Sequence, residues 1–564
     1  MQRLISGLTN LFGMEVDQER TSVKQDNDVP QGRPLSENQS MNNAGGYGWK
    51  IDDMTRLRRF LCLGAEGGTY YVSEKELGME NAKCIARMIE DGKGKTVVSE
   101  IVTFSVEGRA AKQNPIIFAL AMCARQEKDA ELKNAAYKVL SEVCRIPTHL
   151  FAFVDYCEKL SRGTGWGRAH RKAVSSWYNK HKDDPLTLAM HVTKYQNRNG
   201  WCHRDLFRLS HLKPDSDGVA LVAKYIIKGL EVAKSEYQDH DLAENVLKAL
   251  AFLSAVEEAK SAENDNTLIR LVTDFHLVRE HIPTKFLNSL PVWHSLLQKM
   301  PMTAMMRNLG KMTSINMLEK DSQDAQLVID KLSDENALRR AKIHPFNVLV
   351  ALVTYKKGSG VKGSLKWSPN PDIVSALDRT FYKTFKFVEP TNQRYCLAVD
   401  VSGSMDFYQV NGSPVTPREA AAAMAMLAAR TENNVEMVGF STNLVNLPIT
   451  ADMPLDKVIS RMSEVPMGGT DCAQPMVWAK QKKKQFDVFI VYTDCETWAG
   501  EVHPAEALRQ YRQSSGIWNA KLIVVAMTSN GFTIADPEDP GMLDIAGFDS
   551  AAPEVMRQFV LGMI

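Results

Sequence analysis

No two of the nine cysteines, at positions 62, 84, 123, 144, 157, 202, 396, 472 and 495, are spaced as Cys-x-x-Cys. This excludes the usual zinc and dithiol redox spacings. The odd number, set in apolar helical patterns, fits buried free thiols in a reducing compartment. Apolar runs are also short: the longest, AAAAMAMLAA at 420–429, falls well below the roughly 18 residues of a membrane span. The opening MQRLISGLTNLFGM is broken by Thr9 and Asn10 and followed by Glu15 and Asp17, so it lacks a signal-peptide core. The expected compartment is the cytoplasm, with the nucleus open as a second. There is no Gly-x-x-x-x-Gly-Lys-[Ser/Thr] phosphate loop and no Gly-x-Ser-x-Gly nucleophile turn. Net charge is nearly absent, 68 basic against 67 acidic residues. Any electrostatic partner must therefore be met by local segregation of charge.

What is present divides the 564 residues into several domains. Residues 1–45 are rich in Gln, Asn, Ser and Gly and are expected to be a disordered tail. From about Met54 to Asn347 apolar residues recur three and four apart, as in NAAYKVLSEVCR (134–145) and NVLKALAFLSAVEEAK (245–260). Breakers such as DGKGK (91–95), EGRAAKQNP (107–115) and RIPTH (145–149) fall between these helical segments. Short helices joined by tight turns over so long a stretch predict stacked helix pairs. Near residue 390 the pattern changes. RYCLAVDVS (394–402), VEMVGFS (435–441), FDVFIVYTD (486–494) and KLIVVAMTS (521–529) read as buried strands. Helical segments at 417–431, 456–463, 474–483 and 504–513 alternate with them, which predicts a doubly wound parallel sheet with its ligand site at the carboxyl ends of the strands.

Three loops at those strand ends carry oxygen ligands. Asp400, Ser402 and Ser404 follow the first strand, Thr470 lies in GGTD (468–471), and Asp494 ends YTD (492–494). Two carboxylates and three hydroxyls, without His or Cys, suit Mg²⁺ or Mn²⁺ rather than zinc. The bland alternative is that the serines merely cap the following helix. The Asp-x-Ser-x-Ser…Thr…Asp pattern resembles the metal-ion-dependent adhesion site of von Willebrand factor A domains. That resemblance implies Ser402, Ser404 and Thr470 as direct ligands, Asp400 and Asp494 acting through water, and an acidic group of a protein partner completing the shell.

The helical half contains the charge segregation. KLSRGTGWGRAHRKAVSSWYNKHK (159–182) has no acid, and HVTKYQNRNGWCHRDLFRLSHLKP (191–214) has only Asp205. Basic side chains can neutralise phosphates, and the interleaved aromatics can stack on unpaired bases. Arg168, Arg171 and Lys172 are expected to contact nucleic-acid phosphates, Arg168 and Lys172 sharing a helix face. Lys194, Arg198, His203, Arg204, Arg208, His211 and Lys213 are expected around a helix start following Asn199-Gly200, with His203 touching RNA and Leu206 and Leu209 packing inward. A second basic cluster, RRAKIH (339–344) with Lys356, Lys357, Lys362 and Lys366, leans the same way. A solvated helix face is the competing reading of each run.

Longer stretches carry a closer resemblance. RFLCLGAEGGTYY (59–71), SEVCRIPTHLF (141–151), NGWCHRDLFRLSHLKP (199–214), RNLGKMT (307–313) and MTSNGFTIADPEDPGMLDIAGFD (527–549) are similar to the Ro autoantigen family, from about Gly46 to the end. The resemblance implies a TROVE domain, here 46–388, of HEAT-like helix pairs closed into a monomeric ring. A von Willebrand factor A domain follows at 389–564. It also implies binding of small noncoding Y RNAs outside the ring and of the 3′ ends of misfolded RNAs in its hole, with a part in RNA quality control and stress survival. The expected class is a non-catalytic, non-membrane RNA-binding protein. A scaffold gripping an acidic protein through its metal is the alternative.

Overall fold

The computed structural model describes residues 28–161, 165–237, 242–361, 363–447 and 449–564. Helices run in succession from Asp53–Leu63 to Pro371–Lys383, and a six-stranded sheet begins at Arg394. Helix ends follow local chemistry. Asp52 accepts from the amides of Met54 and Thr55 to start Asp53–Leu63, and Gly64 ends it at φ 69°. Ser73 and Glu76 form a capping box at the start of Glu74–Glu90. Successive helices pack in pairs, for example Asn114–Ala124 on Pro147–Leu160 and Pro345–Lys357 on Pro371–Lys383, and their apolar faces form one continuous core. Among the described residues no helix is long and apolar enough to cross a membrane.

The succession closes on itself. Lys342 Nζ donates to the Val106 carbonyl, His344 Nε2 lies 3.2 Å from the Arg109 carbonyl, and Asn347 Nδ2 is 3.4 Å from that of Ala111. Part of the second basic cluster is thus engaged within the fold, while Arg339, Arg340, Lys357 and Lys366 stay exposed. Lys342 and His344 join the ring ends, and Lys356 pairs with Asp456 at 2.7 Å; Lys362 lies outside the described residues. The C-terminal part clamps the junction. Arg59, wholly buried, forks onto Asp544 and also donates to Asn530 Oδ1 at 3.1 Å and the Phe532 carbonyl at 2.9 Å. Arg109 forks onto Asp549 at 2.9 and 2.5 Å.

The sheet runs Met542–Ala546, Lys521–Ala526, Val488–Thr493, Arg394–Asp400, Asn434–Phe440, Leu444–Asn446, parallel throughout except for the last edge strand. Leu397 and Val399 pack with the Ala-rich helix Pro417–Thr431, and Cys396 and Ala398 face Met476 and Leu508 on the other side. The four expected strands and the four expected helices are present. The strand Met542–Ala546 was not anticipated, because Asp544, the partner of Arg59, interrupts its apolar run.

The polar tail departs from expectation. Residues 1–27 lie outside the described residues, but from Asp28 the segment is ordered. Gln39–Met41 and Tyr47–Lys50 form an antiparallel sheet with Phe532–Thr533. Gln31 is fully buried, donating to Asp471 Oδ1 and the Val502 carbonyl at 2.7 Å each. Polar residues here replace solvent contacts with specific hydrogen bonds, so composition misreads them as disorder.

Candidate metal centre and nucleic-acid interface

From the central strand Arg394–Asp400 the chain crosses to Asn434–Phe440 on one side and later to Val488–Thr493 on the other. Such a reversal opens a crevice at the carboxyl ends of the neighbouring strands. Asp400, Ser402, Ser404, Thr470 and Asp494 meet there, each at most 3% exposed. Asp400 accepts from the Ser402 amide at 2.9 Å and the Thr493 hydroxyl at 2.6 Å, and the Ser402 and Ser404 hydroxyls are 3.2 Å apart. The Thr470 loop is locked to both neighbours. Gly403 N donates to the Gly468 carbonyl at 3.1 Å, and the Thr470 carbonyl accepts from Trp498 and Ala499 at 3.0 and 2.9 Å. A Cβ on Gly469 would stand 2.8 Å from the Trp498 ring, so the close approach needs glycine.

Asp494 accepts from the Glu496 amide at 3.1 Å, but its Oδ2 is buried without a partner. Burial pushes its carboxyl well above the usual range, and the nearby Asp400 and Glu496 add to that; burial raises Asp400 as well, against its two hydrogen bonds. Two buried carboxylates with an orphaned oxygen and three hard hydroxyl donors fit a divalent cation. Among the described residues no group of three His, Cys, Asp or Glu side chains is arranged for a metal, so any ion here depends on the hydroxyls.

The second site is a cavity of about 820 Å³ lined by residues from Glu66 to Arg307. Positions so far apart in a succession of stacked pairs meet across the inside of the ring. Lys112, Lys194, Arg198 and Arg307 face it with Asn114 and His149; Glu66 is the only acid, and Lys112 pairs with it. A two-residue hairpin turn projects Arg198. Asn197–Arg198 pairs with Trp201–Cys202, and Asn199 and Gly200 between them take φ 53° and 80°.

Residues 40–353 match the TROVE domain and residues 394–560 the Ro60 vWA domain. The chain belongs to the Ro60 family. It is 40% identical to the RNA-binding protein RO60 of Caenorhabditis elegans, over 94% of this chain and 91% of that one. It is 37% identical to the RNA-binding protein RO60 of Deinococcus radiodurans, over 95% and 98%. The crystal structure of the Deinococcus radiodurans RO (RSR) protein superposes with a TM-score of 0.67 at 37% identity, over 91% of this chain and all of that one.

In this Ro60 family member the expected RNA residues scatter. Arg168, Arg171 and Lys172 are exposed at the start of Arg168–Asn179, and none has an ion-pair partner among the described residues; Arg162 lies outside them. Lys194 and Arg198 line the cavity. Arg208, His211 and Lys213 are exposed, His211 ending its helix at φ 52°. Arg204 instead donates to the Ile227 carbonyl at 2.9 Å, holding a helix end. His203 is buried, 2.9 Å from both the Tyr178 hydroxyl and the Tyr195 carbonyl, and burial lowers its pKa to about 4. In this fold it is a neutral, hydrogen-bonded residue packed between Tyr178 and Tyr195. The helix start behind it is occupied too, since Asp205 accepts from the Cys202 amide at 3.1 Å. Leu206 packs inward as expected, but Leu209 is 40% exposed. Lys112, Asn114, His149 and Arg307 were missed. They sit in breaker segments or in the RNLGKMT motif, where no charge run marks them.

Proposed function

We propose that this chain binds RNA in two ways: the single-stranded 3′ end of a misfolded small RNA enters the cavity, and structured RNA of the Y class lies on the outer face around Arg168 and Lys172. The observation that carries this is the basic cavity, in which four cations from distant segments of the chain surround one space with a single, already paired acid. Phosphates of one strand can be neutralised there, while Tyr156, Tyr195 and His149 offer faces for unpaired bases. A duplex carries two backbones and is excluded by width, so a frayed end marks the misfolded RNA. Names of the relatives as RNA-binding proteins support the reading. It makes the chain a non-catalytic, cytoplasmic component of RNA quality control and stress survival. Placing 4-thiouridine at the 3′ end of a tailed RNA and mapping the crosslink tests it: attachment within 112–114, 146–156, 194–199 or at Arg307 is expected, and attachment confined to the outer face would reject it.

The orphaned Asp494 oxygen favours a second activity. Ser402, Ser404 and Thr470 would hold Mg²⁺ or Mn²⁺, with Asp400 and Asp494 balancing its charge, and the ion would supply an electrostatic anchor for an acidic group on a protein partner. Isothermal titration of Mn²⁺ into wild type and Ser402→Ala/Ser404→Ala should show binding only to the former; equal binding would reject the assignment.

A further inference from the structure

Two of the metal centre's five ligands, Thr470 and Asp494, lie on loops joined through one segment, residues 495–500. On its inner side this segment reaches both. The Glu496 amide donates to Asp494 Oδ1 at 3.1 Å, and the amides of Trp498 and Ala499 donate to the Thr470 carbonyl at 3.0 and 2.9 Å. On its outer side lies the N-terminal arm. Glu496 is fully buried and accepts from the Asn43 amide at 2.8 Å, Asn43 Nδ2 at 2.7 Å, the Ala44 amide at 3.3 Å and Asn530 Nδ2 at 3.0 Å. Asn42 Nδ2 donates to the Thr497 carbonyl at 2.7 Å, and the Thr497 hydroxyl donates to Gln31 Oε1. The Gln31 amide donates to the Gly500 carbonyl at 2.8 Å. A Cβ on Gly46 would overlap the Thr497 carbonyl, so the arm lies against the backbone of the segment.

We propose that Gln31, Asn42 and Asn43 of the arm are positioning residues of the metal centre, and that arm docking and ion binding are thermodynamically coupled. The inference rests on the metal reading above. A buried carboxylate stays where donors meet it. Three of the four hydrogen bonds to Glu496 come from the arm, so the arm fixes Glu496 and with it the amide that orients Asp494. Gln31 and Asn42 fix Thr497 and Gly500 on either side of the two amides that hold Thr470. The arm therefore acts through the segment rather than on the ion. Freed of the arm, the segment would have to be ordered at the moment the ion binds, and that ordering subtracts from affinity. By reciprocity the bound ion must hold the arm down by the same factor.

The test uses the full chain and Mn²⁺, read in two ways. Titration calorimetry compares wild type with Asn43→Asp, which turns a donor to Glu496 into a like charge. The control is Asn38→Asp, the same change on the same arm, where Asn38 Nδ2 meets Glu538 at 3.2 Å. Added negative charge alone would attract a cation, so a loss of affinity reports misplaced ligands. Mn²⁺ affinity should fall about tenfold in Asn43→Asp and stay within about twofold in Asn38→Asp. Hydrogen exchange on wild type reads the reciprocal effect. Saturating Mn²⁺ should slow the Asn43 and Ala44 amides about tenfold and leave the ring helix Asp265–Phe275 unchanged. Mn²⁺ affinity in Asn43→Asp equal to or above wild type, an equal loss in both variants, or arm exchange unmoved by Mn²⁺ overturns the proposal while the metal reading stands. Wild type that binds no Mn²⁺ overturns both. Asn43 is exposed, so its variant should fold; if Asn43→Asp does not, the exchange measurement, which needs no substitution, decides by itself.

Discussion

At the scale of single residues, sequence and structure agree where a side chain's chemistry has only one economical use. Asp400, Ser402, Ser404, Thr470 and Asp494 form a spaced pattern whose members have no reason to be polar inside a sheet unless they converge, and they do. His203 shows the opposite. It sits in a basic stretch of the chain, yet the folded protein surrounds it with Tyr178, Tyr195, Phe151 and Phe207. Whether an imidazole faces solvent or a tyrosine is decided by tertiary packing that periodicity cannot reveal. His203→Ala should therefore cost about 1–3 kcal/mol of stability by stranding the Tyr178 hydroxyl, and weaken tailed and blunt RNA alike. Chemical denaturation with paired RNA titrations checks this; selective loss of tailed RNA at full stability would restore the contact role. Arg59 makes a sharper case. Arg59→Ala leaves Asp544 buried and unpaired and should cost about 3–5 kcal/mol, read as a lower urea midpoint, with Arg59→Met/Asp544→Leu recovering much of it. A midpoint unchanged in Arg59→Ala would show that the clamp contributes nothing.

At the scale of elements, the breakers carried more than punctuation. Segments 107–115 and 145–149 mark helix ends in the sequence, and in the fold they deliver Lys112, Asn114 and His149 to the cavity. Stacked pairs turn their connections toward one side, so residues near loops collect inside a closed ring. A charge run cannot show this, because each loop contributes one or two cations and the sum forms only in three dimensions. The Asn199-Gly200 turn was legible, since two consecutive left-handed positions require such residues. Gly200 has open space around it, so Gly200→Val adds backbone strain without a clash. It should cost about 1–2 kcal/mol and displace Arg198, weakening tailed RNA more than blunt RNA in filter binding. Full affinity for tailed RNA would mean that the hairpin does not position a contact.

At the scale of the molecule, the two parts form one unit. The ring ends meet at His344 and Arg109, the sheet domain grips them through Asp544 and Asp549, and the N-terminal arm ties back through Gln31. Fold class and order of parts could be read from the sequence because hydrophobic period changes once, near residue 390. Ring closure was implied only by the family resemblance, and the arm not at all, because both rest on polar contacts between residues hundreds of positions apart. Histidines run through the helical core: burial lowers His149, His181, His191, His203, His281 and His344 to about 4 and His170 to about 3. Their folded pKa values lie below the unfolded value near 6.5. Between about pH 6.5 and 4 the unfolded chain binds more protons, and stability falls as pH falls through that window. Carboxylates raised by burial, among them Asp471 at about 6, Asp378, Asp406, Glu419 and Asp544, take up protons in the folded state and oppose this. The imidazole resonances of these seven histidines should hold their neutral positions down to about pH 5; titration of any of them with a midpoint near 6.5 would contradict the neutral, buried assignment.

The central claim is that the ring's inside, not its outer face, reads a single-stranded end. The most direct measurement compares two RNAs, one hairpin with and without a single-stranded 3′ tail, on wild type, Arg198→Ala/Arg307→Ala and Arg168→Ala/Lys172→Ala across a salt series. The cavity variant should lose at least tenfold for the tailed RNA only, with the log–log salt slope flattened by about 1.4, and the outer-face variant should weaken both RNAs equally. If the cavity variant binds the tailed RNA like wild type, or loses both RNAs to the same degree, the end is not read there.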